Sequence, residues 1–115
     1  MRNQELSVIS QTYDLTLWAT RHIERFPRAH RFSLGSRLET TLHSLLNSLI
    51  AAKYRHDKLA TLEEANLLIE QLRYQLRFAR ELRLISIDSH HHACERTDRI
   101  GRELGGWRRQ VKTRS

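Results

Sequence analysis

The chain has 115 residues, 29% of them charged and 39% hydrophobic, a balance that suits one soluble core and excludes a disordered chain. Its 20 Lys and Arg, most of them arginine, outweigh 13 Asp and Glu and leave a net charge of +7, which makes a phosphate-bearing partner plausible. A single cysteine, Cys94, excludes an internal disulfide, and no apolar run reaches the roughly 20 residues of a membrane span.

One proline and four glycines among many Leu, Arg, Glu and Ala favour long helices over sheet. The opening MRNQELSVIS carries Glu5 and no apolar stretch, so no signal peptide is expected there. A first helix is predicted from about Glu5 to Phe26, with Leu6, Ile9, Tyr13, Leu17 and Ile23 at helical spacing. Pro27 ends it, PRAHRFS forms a linker, and Ser33 is placed to cap the next helix.

The second helix is predicted over 34–56, with Leu38, Leu42, Leu45, Leu49 and Ala52 as its inner stripe. Thr61 and Glu64 form a capping box for the third, over 62–86. The turn SIDS closes it, and the fourth covers about 89–111. There Ala93, Thr97, Ile100, Leu104, Trp107 and Val111 alternate spacings of four and three. Residues 112–115 form a frayed basic tail. Short connections make neighbours antiparallel, so the expected fold is a single all-α domain, an up-down-up-down four-helix bundle.

The third helix is apolar on two sides. Ala65, Ile69, Leu72, Leu76 and Ala79 share the inner face, while Leu67, Tyr74, Phe78, Leu82 and Ile85 line another. A bundle of this length has no internal partner for the second stripe, which points to a subunit contact. Between the stripes, Arg73, Arg77 and Arg80 form a ladder, with Glu70 in reach of Arg73 or Arg77. The ladder reads as either a salt-bridged edge or a phosphate-tracking stripe.

In the fourth helix, Gly101 and Gly105 stand four apart, where each glycine costs about 1 kcal/mol against alanine. A bulky side chain or a neighbouring helix is expected to pack closely against them, with Trp107 as a core anchor. GGW follows no strand and matches no nucleotide-binding loop. Upstream, DSHHHACE places His90 four before Cys94 and His91 four before Glu95, a spacing that suits metal ligands. However, Glu95 precedes Arg99, and Asp98 precedes Arg102, by the same four, the favourable order for helix ion pairs. His91 and His92 point different ways, and nothing places His43 or His56 nearby. The expectation is no metal, no cofactor and no catalytic residue, because no nucleophile–base pair stands out either.

Three stretches taken together, FPRAHRFSLGSRLE, IEQLRYQLRFARELRLIS and IGRELGGW, resemble the accessory variability determinant proteins of diversity-generating retroelements. These belong to a wider four-helix-bundle family that includes proteins encoded by intervening sequences of 23S ribosomal RNA genes. The resemblance covers about Phe26 to Trp107. Pro27, Arg31, Phe32, Leu34 and Gly35 match the family's start of the second helix. Leu72, Arg73, Leu76 and Arg77 match its third-helix pattern, and Gly101, Arg102, Gly105, Gly106 and Trp107 its fourth-helix ending. His91 and His92 depart from the Gln-Tyr often found there.

The resemblance implies a non-enzymatic, ring-like homopentamer with a basic surface. It would act in the cytoplasm of a bacterium or of a host to a phage or mobile element, with no membrane partner. It would bind RNA or DNA together with a reverse transcriptase, supporting mutagenic cDNA synthesis from template-repeat RNA. Arg31, Arg73, Arg77, Arg80, Arg102, Arg108 and Arg109 are then the candidate contacts to nucleic acid or polymerase. The alternative is a generic bundle protein of the ribosomal intervening-sequence type with no retroelement role.

Overall fold

A computed structural model describes residues 3–114, with side chains from 5 onward. Five α-helices and one π-helical turn make a four-helix arrangement: α1 (Asn3–Ile23), the single turn α2 (Arg28–His30), a π-turn (Arg31–Gly35), α3 (Ser36–Tyr54), α4 (Lys58–Glu81) and α5 (Ile87–Arg114). α1 and α4 each pack against both α3 and α5, so they lie diagonally across a rod of 47 × 23 × 20 Å.

The inner face of α1 differs from the expected one. Val8, Leu15, Ala19 and Ile23 are buried with Thr12 and Thr16, while Leu6, Tyr13 and Leu17 face outward. The two threonines hide the true face from a hydrophobic count. Each hydroxyl donates to the carbonyl four residues back, Thr12 to Val8 at 2.8 Å and Thr16 to Thr12 at 2.7 Å, so both enter the core fully bonded. On α3, α4 and α5 the expected stripes are buried, Trp107 among them, except that Val111 is only half-buried; Thr41, Thr61 and Leu62 join the core as well.

The connections are more helical than the sequence suggests. Pro27 has no N–H to continue α1, but its carbonyl accepts from the N–H groups of His30 (2.9 Å) and Arg31 (3.0 Å) and starts α2. PRAHRFS is therefore not an open linker, and Ser33 caps nothing. It lies within the π-turn, its hydroxyl donating to the Ala29 carbonyl at 3.0 Å. Gly35 makes this packing possible: a Cβ there would meet Ile23 Cγ2 at 2.8 Å and the His30 carbonyl oxygen at 3.3 Å.

α4 starts earlier than the Thr61–Glu64 box predicts. Asp57 is its N-cap, accepting from the Ala60 N–H at 3.4 Å, while Thr61 is buried in the first turn. Lys58 Nζ donates to the carbonyls of Ala52 (2.5 Å) and Lys53 (3.0 Å), satisfying the end of α3.

α4 stops at Glu81 rather than Ser86. Arg83 adopts φ 60°, and the Leu84 N–H returns to the Ala79 carbonyl at 2.8 Å, closing a Schellman turn. Ser86 then caps α5, its hydroxyl accepting from the Ser89 N–H at 3.0 Å. At its other end α5 stays helical to Arg114, beyond the Val111 limit expected.

Candidate nucleic-acid interface

The seven candidate arginines do not converge on one site. Arg73 bonds to Asp98 across the α4–α5 seam and lies 3.4 Å from Glu70. The Asp98 bond holds the guanidinium above its ordinary pKa, against the opposing effect of burial. Arg77 pairs with Glu81 at 3.2 Å. Two rungs of the ladder are thus neutralised, leaving Arg80 as the rung with no ion pair among the described residues.

The ion pairs expected within α5 do not form either. Asp98 turns to Arg73 instead of Arg102, and Glu95 pairs with His91 at 3.0 Å instead of Arg99. A guanidinium on the neighbouring helix outcompetes the same-helix arginine for Asp98. Arg102 and Arg109 are left exposed on the outer side of α5. Arg108 is half-buried and its Nε is buried with no hydrogen-bond partner. At the far end of the rod, Arg31 donates to the Phe26 carbonyl at 3.4 Å.

The close-packing glycines split as well. A Cβ on Gly101 would lie 3.2 Å from Arg73 Nη2, so this glycine gives space to the cross-helix arginine. Gly105 meets only Arg109 of its own helix, at 3.5 Å, an ordinary contact, and no neighbouring backbone approaches it. The tight glycine is Gly35, which carried no close-packing role in the sequence.

Of the proposed interface stripe, Leu67, Tyr74, Phe78 and Leu82 are exposed, but Ile85 is not. The early end of α4 folds Ile85 back into the core, where it lines a small cavity with Trp18, Phe26 and Leu38. The structure adds a second outward stripe, Leu6, Tyr13 and Leu17 on α1, from the residues noted at helical spacing. The i, i+7, i+11 spacing was visible, but its direction depended on the buried threonines.

The histidines point three ways. His90 Nε2 lies 3.4 Å from Cys94 Sγ, His91 faces Glu95, and His92 accepts from Arg96 Nε at 3.0 Å beside Trp18. Burial, then Asp98, pushes the Cys94 thiol up, which keeps it protonated rather than nucleophilic. Among the described residues, no group of three or more His, Cys, Asp or Glu is placed to hold a metal, and no helix is long and apolar enough to cross a membrane.

Arginines and apolar stripes exposed on a four-helix arrangement define the class, an all-α bundle protein. In comparison with known families, a model described as bAvd-like matches residues 7–111. The chain belongs to this family of accessory variability determinants, non-enzymatic helpers in a retroelement context. No curated protein matched the sequence.

Proposed function

We propose that this protein is the basic, oligomeric scaffold of a diversity-generating retroelement, working in the cytoplasm as a single folded domain. It binds template-repeat RNA, and DNA, together with the reverse transcriptase, and supports mutagenic cDNA synthesis without catalysing it. The observation that carries the reading is the family match over 7–111 of a chain with a net charge of +7.

Self-assembly has its own support. The stripes Leu6–Tyr13–Leu17 and Leu67–Tyr74–Phe78–Leu82 lie on diagonal helices, and so on opposite sides of the rod. One stripe docked on the other in the next copy makes a head-to-tail contact, which closes into a ring when the rotation allows, here proposed as a pentamer. A ring repeats each subunit's unpaired arginines, so weak contacts gain by multivalency.

The test is RNA binding measured across salt, with light scattering for mass. Affinity should fall steeply and log-linearly as salt rises, for a particle several times the 13.7 kDa chain. A monomer with salt-independent or absent RNA binding would overturn the reading. A reverse-transcriptase gene beside this one separates the retroelement role from a generic bundle protein.

A further inference from the structure

One end of the rod combines features found at no single place in the sequence. Ile23 of α1, Phe26 just after it, Leu38 of α3, and Ala79 and Ile85 around the end of α4 line one small cavity. The segment 24–35 and the turn 82–86 therefore share that end. Within the π-turn, Gly35 is buried and Leu34 half-buried, while Phe32 is 69% exposed. π-helical turns often mark functional positions.

A lone exposed phenylalanine needs no explanation. Here it stands among charge. Arg25, Arg28, Arg80 and Arg83 are exposed and form no ion pair among the described residues. The acids of this end are Glu24, Glu39, Glu81 and Asp88; Glu81 is already engaged by Arg77, and Glu39 is half-buried. Arg80 and Arg83 border an open cavity of about 700 Å³ with Ser86, Ile87 and Glu81, whose carboxylate is held by Arg77, and the space is ample for a phosphate group.

We propose that this end is a single-strand binding face: Arg25, Arg28, Arg80 and Arg83 hold backbone phosphates while Phe32 stacks on an unpaired base. This rests on the reading that the chain binds nucleic acid. The choice of single strand follows from Phe32. An aromatic ring stacks on a base whose face is open, and a duplex closes those faces against one another. The guanidiniums alone would hold either form.

The experiment compares a short fluorescent oligouridine with an RNA duplex of equal length at one salt concentration. The full chain should prefer the single strand. Phe32→Ala should weaken single-strand binding roughly tenfold, leave duplex binding unchanged, and be rescued by Phe32→Trp. Arg28→Glu with Arg83→Glu should weaken single-strand binding further, while Arg102→Glu with Arg109→Glu should lower both forms alike and keep the preference. All these sites are exposed, and circular dichroism checks that helicity is retained.

Equal or tighter duplex binding, or a Phe32→Ala variant that binds the single strand like the parent, would overturn the proposal alone. So would end-face charge reversal that releases the reverse transcriptase but not RNA, which would assign the face to a protein. A parent chain that binds neither RNA removes the nucleic-acid reading and this face with it.

Discussion

At the residue scale, the glycines show how poorly identity alone ranks positions. Gly35 is enclosed by Ile23 Cγ2 and the His30 carbonyl, neither of which is the free end of a flexible chain. Gly35→Ala should cost about 1–3 kcal/mol through overpacking. Gly105 has only a movable arginine in contact, so Gly105→Ala should gain roughly 0.5–1 kcal/mol from helix propensity. Urea midpoints measure both, and like signs would contradict the packing described. His90 gives a pH prediction. Burial first, then the charges of Arg80 and His91, lowers its pKa below the unfolded value, so folding favours the neutral ring. Its contribution is present above about pH 6.5 and is lost as pH falls through the lower folded value. Unfolding curves of His90→Gln should therefore lose less stability than the parent as pH falls below about 6.5. An identical decline in both would refute the assignment.

At the element scale, helix boundaries were set by side chains the periodic pattern does not weigh. Asp57 took the cap from Thr61 because it stands just before a helical run, and its carboxylate reaches the Ala60 N–H. α4 ended early because Arg83 accepts a left-handed backbone at the position where glycine is usual. That conformation is costly for a side chain with a Cβ, so Arg83→Gly should stabilise the fold by roughly 0.5–1 kcal/mol in thermal or urea unfolding. If Arg83 holds phosphate, the same variant loses single-strand affinity as it gains stability. The strained residue would then be kept for binding. A variant that is destabilised would show that the turn depends on the arginine side chain itself.

At the scale of the whole molecule, the decisive fact is that the two outward stripes lie on diagonal helices. Head-to-tail assembly makes an unusual demand on variants. Phe78→Asp breaks the α4 stripe and leaves α1 intact, and Tyr13→Asp does the reverse. Each alone should be monomeric by light scattering. Mixed, they should form a heterodimer with one intact junction and stop there. A self-complementary contact would instead leave one of the two variants a homodimer, and an unchanged parent mass in both would show that neither stripe is an interface. Ile85→Asp should behave differently from Phe78→Asp by unfolding the chain, since Ile85 is core.

Much of this protein was legible without coordinates. Four helices, the inner stripes of three of them and the buried Trp107 follow from local spacing, because a helix's periodicity is written in its own residues; the family resemblance rests on three short sequence stretches. What needed the tertiary structure was every choice between competing partners. The core face of α1 turned on two threonines whose hydroxyls bond locally. Arg73 could pair within α4 or reach α5, and Asp98 could choose its own helix or the next; only the packing of α4 on α5 decided both. That packing withdrew Arg73 from the ladder, while Glu81 of the same helix took Arg77. Charge and hydrophobicity are properties of a sequence, but whether a charge is free or a stripe is covered depends on which helix stands beside it.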